Sequence, residues 1–244
     1  MPPAVQRDLH WSRVSFLTKV WPVIAPMLGG GTLELVESHR QDDPMRAALD
    51  MRAGIDAWHL CDANGLIRGI ASRVQRVLEP YPTFATRQLR TTGTDTELVK
   101  RMRAVTDPDK GWLYPTLTVQ AYERKQTGVL LTAAVSHTLP MYRAVLDDFR
   151  RPKGQRLVYT KRNPQDGNLF LVVPWELLKR EAVPLLVWPK DAIDLPMPDD
   201  HINGVPLASW EAGDPDFRAW EEQFISILVN CVTCEQVLYD RGWF

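Results

Sequence analysis

The sequence predicts an α/β fold: a mixed central sheet with flanking helices and a long C-terminal helix, within one domain spanning residues 1–244. The core falls over about 9–150 and a C-terminal extension over about 151–244. Three observations lead there. Stretches with apolar residues at helical spacing alternate along the chain with short β-branched runs. Asn64-Gly65 stands between two such runs and favours a tight hairpin. No linker, internal repeat or low-complexity segment divides the chain. With 45% hydrophobic and 24% charged residues and nine Trp, the chain has the composition of a folded protein with a sizeable core.

In chain order, Asp8 caps a helix over about 9–21, where Val14, Leu17, Trp21 and Ile24 recur at helical spacing and Pro22 and Pro26 limit the later turns. Gly29-Gly30-Gly31 reads as a turn before the strand TLELVES. A polar loop, RQDDP, and a short segment at 45–51 precede the hairpin, with strands near 53–61 and 67–77. FATRQLR is extended, and TDTELVKRMRAV is a helix capped by Thr94 or Asp95 with Glu97 in its first turn. YPTLTVQAYE and TGVLLTAAVSHT are strands, and LPMYRAVLDDF is a helix with Pro140 near its start. RLVYTKR and NLFLVVPW pair across NPQDG, and VPLLVWP is a short strand. Pro, Asp and Gly make 191–215 a surface loop, and the apolar stripe Phe217, Trp220, Phe224, Ile227 and Leu228 predicts the final helix.

Several classes are disfavoured. No basic-then-apolar leader and no run of roughly 18 apolar residues is present, and three Cys do not make a disulfide framework, so the expectation is a soluble cytoplasmic protein without a membrane partner. The glycine triplet lacks the Lys-Ser/Thr ending of a phosphate loop, and neither GxGxxG after a strand nor a GxSxG elbow occurs. His59 and Cys61 with Cys231 and Cys234 could in principle supply four zinc ligands, but the two late cysteines fall one helical turn apart among apolar residues, as core positions do.

The net charge of −1 hides a segregation of charge. Residues 68–103 carry eight Arg and Lys against Glu79, Asp95 and Glu97, whereas 181–244 carry twelve acids against three bases. Arg73, Arg76, Arg87, Arg90, Lys100, Arg101 and Arg103 come from successive elements, interleaved with Tyr81, Phe84 and Trp112. Such a set suits DNA or RNA, the bases neutralising phosphates and the aromatics stacking on unpaired bases. The alternative is solvated charge over a packed aromatic core. Trp188, Trp210, Trp220 and Trp243 in the acidic region suit a protein partner instead, as in a non-catalytic accessory protein of a phage or mobile element.

The hairpin GIDAWHLCDANGLIRGIASRVQR concentrates the remaining candidates. Alternation puts Ile70, Ser72 and Val74 on one face of its second strand and Ala71, Arg73 and Gln75 on the other. With a helix and strand before it and a helix and strand after it, this stretch resembles the PD-(D/E)XK nuclease superfamily, over about a third of the chain. The resemblance implies a restriction-endonuclease-like core and metal-dependent phosphodiester cleavage. Asp56 matches the family Asp, and Arg73-Val74-Gln75 stands where the family has (D/E)XK. Mg²⁺ would then be held by Asp56 and Glu37, with Gln75 oriented to the site in place of the Lys and Arg73 holding phosphate. Asp56 and Arg73 as a cross-strand ion pair, without chemistry, is the competing assignment.

Overall fold

In the computed structural model the described residues are 10–36, 53–89, 96–106, 113–163 and 168–197. The long final helix, and with it Cys231, Cys234, Trp210, Trp220 and Trp243, lies outside them.

Helix α1 covers 10–24 and so runs past Pro22. Proline has no N–H, and its ring would strike the carbonyl four residues back. The helix takes the ring by widening into a π turn over Phe16–Val20, closed by the Trp21 N–H on the Phe16 carbonyl. Phe16, Val20 and Ile24 form its buried stripe, which Leu28 continues in the turn beyond. Gly29, Gly30 and Gly31, all at positive φ, then turn the chain into the first strand.

The main sheet has six strands in the order β1 (Thr32–Leu35), β2 (Ala57–Leu60), β3 (Ile67–Val77), β5 (Leu117–Arg124), β6 (Leu130–His137), β9 (Leu185–Trp188). β3 and β5 run parallel and every other neighbouring pair is antiparallel, so the sheet is mixed. The predicted hairpin is β2–β3, with β2 shorter than expected because residues 53–56 lie outside the ladder. Strand alternation holds through its second arm. Ile70 and Val74, with Leu117, Val119, Ala121, Ala133 and Val135, pack on α1, while Arg73 and Gln75 point to the opposite face.

That opposite face is covered by a second sheet, which the sequence does not announce: β4 (Thr83–Leu89), β8 (Leu169–Pro174) and β7 (Tyr159–Arg162), all antiparallel, in the order β4-β8-β7. The predicted hairpin across NPQDG is β7–β8, and its second strand also binds β4 some eighty residues earlier, for instance Ala85 opposite Val172. Three helices complete this layer: α2 (Glu97–Thr106), α3 (Thr138–Phe149) and α4 (Trp175–Arg180). The last, two short turns after Pro174, sits where the sequence reads only as the end of a strand. Met141, Tyr142, Val145 and Leu146 of α3 meet Trp175, Leu177 and Leu178 of α4, Phe84 and Leu171 of the second sheet, and Ala134 and Val187 of the main sheet in one core. Phe84, 1% exposed, belongs to that core and is not a stacking platform for bases.

A buried carboxylate ties the layer together. Asp148, at 0% exposure near the end of α3, accepts the Leu157 and Val158 N–H groups at 2.8 and 2.9 Å and faces Arg180 of α4. On the other side of the main sheet Lys19 of α1 reaches Glu123 at 3.2 Å and the Gly128 carbonyl at 2.6 Å, joining the helix to the β5–β6 turn. Among the described residues no helix is long and apolar enough to cross a membrane.

Candidate functional site

Toward β6 and β9 the space between the sheets is apolar, and toward β3 and β5 it is polar. The sequence reason is the run Thr118, Gln120, Tyr122 on alternate positions of β5, all facing the second sheet. Gln120 donates to the Gln75 amide oxygen at 2.9 Å and accepts the Ala85 N–H at 3.3 Å. Tyr122 donates to the Thr83 carbonyl at 3.0 Å, and burial pushes its hydroxyl well above the usual range, keeping it neutral. Thr118 meets Thr138 at 2.9 Å, and Thr86 meets Tyr142 at 3.0 Å.

Within this polar layer lies a cleft of about 70 Å³, lined among others by Ser72, Arg73, Thr86, Glu97, Arg101 and Gln120. Two arginines point into it. Arg101 of α2 is 6% exposed, and its Nη1 donates to the Tyr142 hydroxyl at 2.7 Å and to Thr86 at 3.3 Å. Burial opposes its charge, but Tyr142, Glu97 and Asp56 outweigh that and hold its pKa above the ordinary value. Arg73 of β3 lies over the Phe170 ring, 4.4 Å from its centre, and burial pushes it down to about 10, with Glu97 opposing the shift. It is a cation at neutral pH.

Arg87 of β4 shares the same Phe170 ring at 5.7 Å and pairs with Glu97 at 3.5 Å. Glu97 also accepts the Arg87 backbone N–H at 3.1 Å, which docks the start of α2 on β4. Three guanidiniums therefore surround Glu97. The Nε–H of Arg73, Arg87 and Arg101 are each shut away from solvent and, among the described residues, have no hydrogen-bond partner. A buried donor left unmatched costs about 1–3 kcal/mol, so this arginine cluster is held at some expense in stability.

The hairpin carboxylate is engaged with its own hairpin backbone. Where β2 stops, the next ladder donor of β3, the Ser72 N–H, is taken up by Asp56 Oδ2 at 2.6 Å, with the Ser72 hydroxyl at 3.4 Å. Asp56 thus completes the sheet edge, and its field is felt at Arg101. The leading electrostatic neighbours of Arg73 are Glu97, Arg87, Tyr122 and Arg101, so no Asp56–Arg73 pair dominates. Gln75 lies three residues beyond Ser72 on an extended strand, roughly 10 Å along it, and is engaged with Gln120. Asp56 and Gln75 are not brought together.

Of the remaining basic candidates, Arg76 extends from the other face of β3 and stacks on Trp11 at 3.9 Å, away from the cleft. Lys100 lies on the face of α2 against Gly54. Arg90 and Glu37 lie outside the described residues, as does the side chain of Arg103. His59 and Cys61 secure the glycine turn: His59 Nε2–H donates to the Gly30 carbonyl at 2.8 Å, and Cys61 Sγ reaches the Leu28 carbonyl at 3.4 Å.

Mg²⁺ requires hard oxygen ligands, usually with a net negative first shell. Among the described residues no three His, Cys, Asp or Glu side chains converge, and the one carboxylate that lines the cleft, Glu97, shares it with Arg73 and Arg101. That donor set does not fit a divalent cation. It fits an anion.

No family model, no curated protein and no solved structure matches the chain. Arg73, Arg87 and Arg101 were legible as basic residues in a basic segment, whereas Glu97, Thr86, Phe170 and Tyr142 were not legible as their partners. The signal that reveals the polar layer is the polar alternation Thr118, Gln120, Tyr122 against Leu117, Val119 and Ala121.

Proposed function

We propose that the protein binds nucleic acid, holding backbone phosphate at the cleft lined by Arg73 and Arg101, with Arg87 beside it, on a scaffold of the restriction-endonuclease-like kind. The observation that carries the reading is the gathering of Arg73, Arg101 and the part-exposed Arg87 around the carboxylate of Glu97. Guanidinium pairs with phosphate oxygens through planar, charge-assisted donors. The scaffold reading is supported by element order: α1, β1, the β2–β3 hairpin, α2 and then β5 alongside β3 in parallel. It departs from that order by placing β4 between the hairpin and α2, and that strand brings Ala85 and Thr86 to the cleft and Arg87 against Glu97.

The reading is one of binding through guanidinium contacts, so it needs no cation. Labelled single-stranded oligonucleotides titrated by fluorescence anisotropy are expected to bind at low salt, to weaken steeply as salt rises, and to bind equally well in excess EDTA. Absence of binding at low salt sinks the proposal. Binding abolished by EDTA replaces the arginine cleft with a metal-bridged contact.

A further inference from the structure

We propose that Glu97 is a built-in competitor for the anion, its carboxylate holding at the arginines the place that a backbone phosphate takes, so that it sets how tightly nucleic acid binds. The inference rests on the nucleic-acid reading above. The charged residues lining the cleft are Arg73, Arg101 and Glu97, and Glu97 is the one carboxylate among them. The cations beside it are not saturated. Arg73 is partly exposed and lies over the Phe170 ring at 4.4 Å, and among the described residues its guanidinium makes neither a hydrogen bond nor an ion pair. Arg87 Nη1 reaches Glu97 Oε1 at 3.5 Å, with both side chains 28% exposed. A part-exposed pair of this kind adds little stability, so a phosphate can take over the guanidinium at small cost.

The chain fixes that carboxylate at the site. Glu97 is the first residue of α2, and its Oε2 accepts the Arg87 backbone N–H at 3.1 Å, which holds the side chain against β4. Its charge is felt on both sides, since it favours the guanidinium form of Arg73 and of Arg101. A phosphate approaching these arginines therefore meets the negative charge that already serves them. Two like unit charges about 5 Å apart near a protein surface repel by an amount worth well over tenfold in affinity, and salt reduces this to several-fold. Glutamine at this position separates charge from structure. Its amide oxygen can still accept the Arg87 N–H, while the negative charge is gone.

The test is anisotropy with one labelled single-stranded oligonucleotide at physiological salt, comparing the full chain with Glu97→Gln. The variant is expected to bind roughly fivefold or more tighter. Glu79→Gln is the control for net charge, because Glu79 is exposed beyond the end of β3 and does not line the cleft, and it is expected to change affinity by about twofold or less. Thermal unfolding checks that Glu97→Gln folds. Where it does not, Glu97→Asp serves: it keeps the charge but draws it back by one methylene from the Arg87 guanidinium, and a gain of about twofold is expected. Unchanged or weaker binding by a folded Glu97 variant overturns the competitor and makes Glu97 a structural residue, with nucleic-acid binding left standing. An equal gain in Glu79→Gln also overturns it, by showing that overall charge and not the cleft is responsible. No binding by the full chain or by any variant overturns the nucleic-acid reading and this inference together.

Discussion

Asp148→Ala is expected to lower the unfolding free energy by about 3–5 kcal/mol, measured by denaturant titration. The carboxylate is fully buried and satisfied three times over, by the backbone N–H groups of Leu157 and Val158 and by Arg180. Truncation strands two buried or half-buried amides and removes the anchor between α3, the segment leading into β7, and α4. The adjacent Asp147 is the control. It is exposed and pairs only with Arg150 one turn on, so Asp147→Ala should change stability by about 0.5 kcal/mol or less. A loss under about 1 kcal/mol in Asp148→Ala would show that the carboxylate does not organise this layer.

Gly31→Ala is expected to cost about 3 kcal/mol or more, for two reasons that add. Its φ of +121° lies in a region that L side chains rarely adopt, and an added Cβ would sit 2.0 Å from the Leu60 carbonyl oxygen and 2.9 Å from His59 Nε2. The Leu60 backbone cannot retreat, because β2 is paired there with Thr32 on one side and Ile67 on the other. Gly65→Ala separates the two causes. Gly65 also has positive φ but nothing within 4 Å of an added Cβ, so about 1 kcal/mol is expected. Equal costs at the two sites would refute the close approach as the reason for the glycine triplet.

What could be read from the sequence was local. The Asn64-Gly65 turn and the alternation along β3 were visible because the period of two depends only on neighbours, and both hold in the structure. The second sheet was not visible, since the pairing of Ala85 with Val172 joins residues far apart in the chain and each strand alone fits an arm of an ordinary hairpin. Arg101 shows the same limit at the level of one side chain. On an amphipathic helix it reads as solvated, and only the arrival of Tyr142 and Thr86 from other elements makes burial tolerable. Asp56 was read as a metal ligand or half of an ion pair, and it takes up the Ser72 N–H because β2 begins at Ala57, about four residues later than the sequence pattern suggests. Strand ends are set by partners, which composition does not display.

The most direct test of phosphate binding in the arginine cleft is the slope of log Kd against log salt for the full chain and for Arg87→Gln with the same single strand. Arg87 is accessible enough to change without opening the core, and the Arg87 backbone N–H still holds Glu97 after the substitution. Phosphate binding in the cleft predicts weaker binding and a slope smaller by about 0.7, the loss of one phosphate contact on a single strand. An unchanged affinity and slope would contradict it and move the contact surface elsewhere on the protein.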